Sequence, residues 1–429
     1  MTVVAWIAVA VFVGAYILIA TERVHRVAAA LGGAAIVLGL GIVGSEEAFY
    51  SHETGIDWDV IFLLLGMMLV VGVVKRTGLF EYMAIRAAKT ARGKPFRVMV
   101  LLILVTAVAS AILDNVTTVL LVAPVTLLVC DRLALNPVPF LIAEALASNI
   151  GGAATLVGDP PNIIIASRAD LAFNDFLIHM LPIVAVILAA FILMSRFLFR
   201  KALVGDPSRA EDLMALDERE AIKDRTLLIR SLVVLAAILV GFVLQRQTGV
   251  SPAVVALVGA GVLVLLSPAR PVDLLADVEW ETLVFFMGLF VLVGALVHVG
   301  ALEKLSEQIA SLTGAQLVPT LMVILIASAV LSAIVDNIPY VTAMSPVVAS
   351  LIATNPELGQ DGALWWALAL GADLGGNATA VGASANVVIV GIALRYGHKI
   401  TFAGWLKYGV PTAVMSIALC VPYILLRYA

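Results

Sequence analysis

The stretch NIGGAATLVGDPPN at residues 149–162 decides the fold, because it returns later in the chain as DLGGNATAVGASAN at 373–386. Both copies interrupt apolar segments with glycine, amide and hydroxyl residues, and the first copy also contains Pro160-Pro161. Neither paired glycines nor a Pro-Pro pair can sustain a helix. Each copy is therefore predicted to be a broken helix whose middle is unwound.

The repeat extends outward from these two segments. The sequence SAILDN at 110–115 returns as SAIVDN at 332–337, an offset of 222. Further residues recur at the same offset: Trp58, Gly66, Gly72, Gly78, Glu81 and Pro124 match Trp280, Gly288, Gly294, Gly300, Glu303 and Pro346. A shared order of this kind indicates two copies of one structural unit. We predict a first repeat at 1–200, a linker at 201–225 and a second repeat at 226–429.

The composition indicates a membrane protein. Of the 429 residues, 62% are hydrophobic and 13% are charged, and the mean hydropathy is +1.09. Charged residues make up about 25% of a soluble chain, so a soluble fold is excluded. The net charge of -4 leaves no basic surface for nucleic acid. Cys130 and Cys420 are too few for a disulfide framework or a CxxC metal site, and we predict no metal and no cofactor.

Apolar runs long enough to span a bilayer divide the chain into crossings. They lie at 3–20, 26–44, 58–76, 139–168, 174–199, 226–245, 251–267, 280–298, 361–394 and 402–426. Two further runs, 96–130 and 317–353, are interrupted halfway by Asp-Asn, which predicts re-entrant helical hairpins. The predicted fold is an all-α polytopic membrane protein. Each repeat has five transmembrane helices and one re-entrant hairpin, with broken helices at the midplane.

The basic residues predict the orientation. With the N-terminus outside, the inner segments contain 22 Lys and Arg residues and the outer segments contain 4. This distribution favours an integral plasma (cytoplasmic) membrane protein with both termini outside and the linker in the cytoplasm. An odd number of crossings in each repeat inverts the second copy relative to the first. Inverted repeats that face each other at the midplane are typical of secondary transporters.

Two Asp-Asn pairs lie at the predicted hairpin tips, Asp114-Asn115 and Asp336-Asn337. A carboxylate at membrane depth costs at least ~2.5–3.5 kcal/mol, so a function or a structural partner must compensate it. Each pair could cap its own helix, because Asp and Asn are good N-caps. Capping does not exclude a second role in binding.

The unwound segments supply the remaining candidate site residues. Freed carbonyls and half-helix N-termini at membrane depth provide ion and solute sites. Glycine hinges or close helix packing would explain the glycines, but not the amide, hydroxyl and acidic residues beside them. The predicted substrate- and ion-binding residues are Asp114, Asn115, Asn149, Gly151, Gly152, Thr155, Asp159, Asn162, Asp336, Asn337, Asp373, Gly375, Gly376, Asn377, Thr379 and Asn386.

Acidic residues predominate in this predicted core. The acids Asp114, Glu144, Asp159, Asp336 and Asp373 occur there without a Lys or Arg. Such an excess suits a site that binds cations or exchanges protons, and which aspartate carries the proton is left open. Glu144 could instead hydrogen-bond a neighbouring helix. No HExxH, Ser-His pair, GxGD or P-loop motif supports an enzyme, so we predict no catalytic residue.

The sequences ILDNVTTVLLVAPV and SNIGGAATLVGDPPNIIIAS resemble the signature of one branch of the ion transporter superfamily. This branch contains the arsenical pumps (ArsB-type) and the melanosomal P proteins, and its relatives are NhaD-type antiporters and sodium-coupled dicarboxylate carriers. The resemblance covers about residues 5–426. It implies ten crossings plus two opposed hairpins, a homodimer, and a transport domain that moves as an elevator. It also implies that the hairpin tips, residues 149–162 and residues 373–386 line the substrate site.

The function that the resemblance implies is proton-coupled efflux of arsenite or antimonite. The partners would be a small inorganic solute, protons and the lipid bilayer. Two alternatives stay open: a sodium/proton antiporter that uses the same carboxylates, and an organic or inorganic anion transporter or channel of the P-protein type. Whether a separate ATPase subunit associates with the linker is also open.

Overall fold

The chain forms helices joined by short turns. The computed structural model describes residues 2–21, 23–51, 53–203, 214 and 217–428, and none of these residues forms a β-strand. About half of the predicted linker, residues 204–213 and 215–216, lies outside the described residues.

The helices of the two repeats follow the same order. In the first repeat the α-helices are α1 (Val3–Ala20), α2 (Arg26–Gly39), α3 (Ser45–Tyr50), α4 (Trp58–Arg76), α5 (Leu79–Thr90), α6 (Pro95–Ile112), α7 (Asn115–Arg132), α8 (Val138–Gly152), α9 (Pro160–Ala169), α10 (Phe173–His179) and α11 (Leu181–Leu198). In the second repeat they are α12 (Arg225–Val243), α13 (Gln245–Thr248), α14 (Pro252–Leu266), α15 (Pro271–Leu275), α16 (Trp280–His298), α17 (Ala301–Thr313), α18 (Leu317–Ile334), α19 (Asn337–Thr354), α20 (Ala363–Gly375), α21 (Ser384–Arg395) and α22 (Phe402–Tyr428).

Ten helices in the described part of the chain are long and apolar enough to cross a membrane. They are α1, α4, α11, α12, α16 and α22, together with the four arms α6, α7, α18 and α19 of the two hairpins. The shorter apolar helices α2, α8, α14 and α21 account for the remaining predicted crossings. The all-helical membrane fold predicted from the sequence is therefore confirmed.

Both predicted broken helices are unwound in the middle. In the first repeat α8 ends at Gly152 and α9 begins at Pro160, where a missing N–H is tolerated because the first helical N–H groups have no partner. In the second repeat α20 ends at Gly375, a short 3-10 turn follows, and α21 begins at Ser384. The glycine-rich sequences thus interrupt the helices where the sequence predicts.

Each hairpin turns over two residues. Leu113 and Asp114 separate α6 from α7, and Val335 and Asp336 separate α18 from α19. The backbone of Leu113 is extended, with φ -114° and ψ 175°, so the first arm cannot continue beyond it. The aspartate that follows is the N-cap of the second arm, a position that Asp favours.

The two repeats interlock through corresponding helices. Helix α2 packs against α16 and α4 packs against α14, while α7 packs against α21 and α19 packs against α9. The second arm of each hairpin therefore contacts the second part of the broken helix of the other repeat. This exchange is what a pseudo-two-fold axis between inverted repeats produces. It brings both hairpin tips and both unwound segments to one central region.

The end of the linker packs onto the first repeat. The Lys89 ammonium donates a hydrogen bond to Glu218 Oε2 at 2.5 Å, and this hydrogen bond lowers the pKa of the Glu218 carboxyl. The Lys223 N–H donates to the Thr77 carbonyl at 3.0 Å. These contacts attach the end of the linker to α5 and to the residue that follows α4.

Candidate transport site

The unwound segments are fastened to the hairpins by matching hydrogen bonds. Thr155 Oγ1 donates to the Ala111 carbonyl at 2.6 Å, and in the second repeat Thr379 Oγ1 donates to the Ala333 carbonyl at 2.6 Å. Both acceptors lie in the last turn of a first hairpin arm, whose carbonyls lack helical partners. Thr155 and Thr379, predicted as binding residues, are thus placed as structural ties between the hairpin and the unwound segment.

The glycines lie where backbone approaches backbone. A Cβ atom on Gly151 would lie 2.2 Å from the Ala107 carbonyl oxygen, and one on Gly375 would lie 2.4 Å from the Ala329 carbonyl oxygen. A Cβ atom on Gly152 would lie 2.6 Å from the Gly158 carbonyl oxygen, and one on Gly376 would lie 2.5 Å from the Gly382 carbonyl oxygen. Close packing, the alternative considered from the sequence, therefore explains why these four predicted site positions are glycines.

Amide side chains from both repeats meet at the centre. Asn149 Nδ2 lies within hydrogen-bonding distance of Asn377 Oδ1 at 3.0 Å and of Asn386 Oδ1 at 2.9 Å. Asn115 Nδ2 at the first hairpin tip donates to Asn149 Oδ1 at 3.3 Å. All four side chains are buried. The structure thus joins the first hairpin tip to the unwound segments of both repeats.

The second hairpin tip reaches into the first repeat in a similar way. Asn337 Nδ2 donates to the Asp159 carboxylate, with distances of 3.2 and 3.4 Å to its two oxygens. Asn162, one turn into α9, donates from Nδ2 to the Thr155 carbonyl at 3.1 Å and so braces the same unwound segment. Asp159 is buried and is held by the other repeat, as the predicted site requires.

Asp373 is fully buried, and neither of its carboxylate oxygens has a hydrogen-bond partner among the described residues. Three amide atoms of the predicted site are also buried and unpaired: Asn115 Oδ1, Asn162 Oδ1 and Asn377 Nδ2. Buried polar atoms are nearly always hydrogen-bonded, and each unpaired group costs ~1–3 kcal/mol. A cluster of unpaired atoms at the predicted site is therefore where an ion, a proton or a polar solute would be stabilised.

The carboxylates at the hairpin tips cap their own helices. Asp114 Oδ1 accepts a hydrogen bond from the Thr117 N–H at 2.7 Å, and Asp336 Oδ1 accepts one from the Ile338 N–H at 3.1 Å. The second oxygen of Asp336 also accepts a hydrogen bond from Ser384 Oγ at 2.7 Å. Capping is thus present in both hairpins, and Asp336 is connected in addition to the start of α21.

A basic residue at the start of α2 lies at this site. Arg26 Nη1 donates to Ser384 Oγ at 3.2 Å, Nη2 donates to Thr282 Oγ1 at 3.3 Å, and the guanidinium lies 5.5 Å from the centre of the Phe285 ring. The expectation of a core without Lys or Arg is therefore wrong. Helix α2 is about 21 Å long at 1.5 Å per residue, shorter than the hydrocarbon core. The apolar run predicted there from the sequence, 26–44, is longer, so the sequence offered no signal for this contact.

A cavity of about 300 Å³ lies beside both hairpin tips. Its polar lining comes from His25, Arg26, Asp336 and Ser384, and Val116 of the first hairpin lies at its edge. Among the described residues no group of three or more His, Cys, Asp or Glu side chains is arranged to bind a metal ion. The site is therefore built from carboxylates, amides, hydroxyls and one guanidinium.

The sequence matches a family of transporters and is similar to several known proteins. Residues 16–371 match the family described as citrate transporter. An uncharacterized transporter of Mycobacterium tuberculosis is 54% identical over 422 residues, which cover 98% of each chain, and a 46 kDa membrane protein of Mycobacterium leprae matches to the same extent. The P protein of Homo sapiens is 33% identical over 504 residues, covering 98% of this chain and 60% of that protein.

The fold is similar to that of a solved transporter. The crystal structure of the YdaH transporter of Alcanivorax borkumensis matches 84% of each chain with a TM-score of 0.61 and 16% sequence identity. At that identity the match shows the fold alone. These similarities confirm the superfamily and the relationship to P proteins, while the arsenical-pump branch stays a prediction. The chain belongs to the citrate transporter family of the ion transporter superfamily and is an integral membrane transporter.

Proposed function

We propose that this transporter is coupled to protons and that Asp373 is the principal proton carrier. The observation that supports this role is the complete burial of Asp373 without a hydrogen-bond partner in the described part of the chain. An ionised carboxylate in that position would be strongly disfavoured. A proton on Asp373 removes the charge and supplies a donor for an unpaired acceptor such as Asn162 Oδ1. Ionisation becomes favourable once a solute with hydrogen-bond donors enters.

The difference between the repeats supports this assignment. Asp373 corresponds to Asn149 in the repeat alignment, and Asn149 uses its amide to connect residues of both repeats. The two equivalent positions therefore differ in charge and in hydrogen bonding. Asp159 is the second acid at the centre, but Asn337 already pairs it. Among the central carboxylates, Asp373 is therefore the one that protonation stabilises most.

Alternating access is the mechanism that we propose. One group of contacts, α2 with α16 and α4 with α14, lies beside the site and reaches it through Arg26 and Thr282. The other group, α7 with α21 and α9 with α19, surrounds it. We infer that the hairpins and broken helices move together against the first group as an elevator. A homodimer in the plasma membrane, with both termini outside, is part of the same proposal.

Arsenite or antimonite, exported from the cell, is the solute that we propose first. At neutral pH arsenite is mainly a neutral trihydroxide, so its hydroxyls could donate to carboxylates, amide oxygens and backbone carbonyls. The unpaired acceptors of Asp373, Asn115 and Asn162 provide that chemistry. Neither Cys130 nor Cys420 is needed, and both are buried outside the unwound segments and hairpin tips.

A carboxylate anion is the second candidate, and Arg26 is the observation that favours it. Its guanidinium lines the cavity beside the hairpin tips, and a planar guanidinium pairs well with a carboxylate. The description of the family as citrate transporter points to the same class of solute.

Uptake into everted membrane vesicles tests the proposed function. We expect arsenite uptake to increase when the vesicle interior is acidified, and to lose this dependence in Asp373→Asn. Citrate in place of arsenite tests the second candidate, and sodium pulses against a preformed pH gradient test antiport of sodium. If uptake of every solute is the same with and without the proton gradient, proton coupling is excluded.

A further inference from the structure

Glu144 is a buried carboxyl that the site described above does not use. It lies in α8 with 1% of its surface exposed. One of its oxygens accepts a hydrogen bond from Thr126 Oγ1 of α7, as the sequence reasoning allowed. The other oxygen, Oε2, has no partner among the residues that the structure describes. The hydrogen bond to Thr126 therefore satisfies only half of this carboxyl.

The second repeat serves as an internal comparison. The residues that correspond to Glu144 and Thr126 are Leu368 and Val348. Both are buried and apolar, and their helices α20 and α19 still pack together. The fold therefore does not require a polar pair at this position. The polar pair belongs to the first repeat alone, so a role outside folding must explain it.

Polar side chains continue from Glu144 in both directions. Ser148 lies one helical turn further along α8, and its hydroxyl donates to the carbonyl of Asn115 at the hairpin tip at 3.0 Å. On the other side Cys130 lies one turn beyond Thr126, and α7 then ends at exposed residues 131–132. The corresponding residues of the second repeat, Ala372 and Ile352, are apolar. By helical spacing, these polar side chains run from the site toward one end of the first repeat, and the corresponding positions of the second repeat are apolar.

We propose that Glu144 is a second proton-binding residue on a path between the central site and the end of α7. Oε2 takes a proton from one side of the path and gives up a proton to the other side, while Thr126 Oγ1 donates to Oε1, so that each passage leaves the protein with its original number of protons. In the described structure Glu144 forms no ion pair, and Cys130 is the titratable group that interacts with it. The inference rests on the proposed proton coupling and adds the route that the proton takes.

Infrared difference spectroscopy of the full-length protein in lipid tests the route without any solute. The spectrum of the wild type minus that of Glu144→Gln should contain the carboxylic acid C=O band of Glu144. We expect this band to shift in D2O and to change amplitude with pH, because the group exchanges protons with solvent. Ser148→Ala and Thr126→Val should slow the deuterium exchange. Glu144→Leu, which copies Leu368, shows whether the protein folds without the acid.

Several results would overturn the inference. One is a Glu144 band that neither exchanges with deuterium nor responds to pH, and another is the absence of a protonated Glu144 at any pH. In vesicles we expect Glu144→Gln to reduce proton-driven uptake of arsenite or citrate at least ~tenfold while exchange at equal pH continues. Wild-type uptake that is the same with and without a proton gradient would refute the proposed function alone. Proton-driven uptake that is unchanged in Glu144→Gln would refute only the route.

Discussion

At each hairpin tip an aspartate side chain caps the helix that follows. Asn also caps helices well, whereas Ala does not. We predict that Asp114→Asn and Asp336→Asn abolish transport while the purified proteins unfold at nearly the wild-type temperature. The Ala variants should lose transport and in addition ~0.5–2 kcal/mol of stability, because the cap is removed. Normal transport in both Asn variants would show that the carboxylates serve only as caps.

Arg26 links the start of α21 to α16. Its guanidinium contacts Ser384 and Thr282 at the same time, and a lysine ammonium on a single stem cannot reproduce this fork. We predict that Arg26→Gln slows transport about tenfold, equivalent to ~1.4 kcal/mol, and that Arg26→Lys recovers only part of the rate. The initial rate and KM in vesicles are the measurements. Complete recovery with lysine would mean that only the positive charge matters.

The central residues differ in how far the sequence alone could predict them. The repeat and the energetic cost of burial predicted Asp114, Asp336 and the amides as site residues, because both can be read from the sequence. That Asp373 has no partner, whereas Asp159 is paired by Asn337, depends on which side chains the fold brings together. Arg26 was missed because residues beside a turn are normally solvated, and only the packing of α2 brings it to the hairpin.

At the scale of the elements, contact between backbones holds each broken helix against its hairpin. A methyl group on Gly151 would meet the Ala107 carbonyl at 2.2 Å, whereas Gly32 has no neighbour within 4 Å. We predict that Gly151→Ala destabilises the protein by ~1–3 kcal/mol through overpacking and lowers transport. Gly32→Ala is the matched control, and it should be neutral or stabilising because alanine favours helices. Thermal unfolding in detergent measures both variants, and equal stability would contradict the packing argument.

Most element boundaries follow from the sequence, because apolar runs and breaking residues are local signals. The hairpins end their first arms at the Asp-Asn pairs, and the glycine-rich segments unwind as predicted. The pairing of α7 with α21 and of α9 with α19 could not be read from the chain. Every arm is apolar along most of its length, so composition does not determine which neighbour it packs against.

For the whole molecule, the elevator proposal requires α9 to move relative to α4. The two helices are joined by a hydrogen bond from Ser167 Oγ to Asp57 Oδ2 at 2.5 Å, where Ser167 is exposed and Asp57 is half-buried. Asp57 also caps α4, since its Oδ1 accepts from the Val60 N–H at 3.2 Å. Thiols at the two positions would be within reach of a short cross-linker, whereas the native Cys130 and Cys420 are buried.

We predict that cross-linking the double variant Asp57→Cys, Ser167→Cys with a short bifunctional thiosulfonate stops transport and that reduction restores it. The physical reason is that one covalent bridge between α4 and α9 holds the moving group in a single position, so the site cannot be exposed alternately. Ser167→Cys alone, treated with the same reagent, controls for modification without bridging. The wild type controls for reaction at the buried cysteines. A fully cross-linked protein that transports at the rate measured before cross-linking would exclude relative movement of these helices. That result would favour a fixed pore.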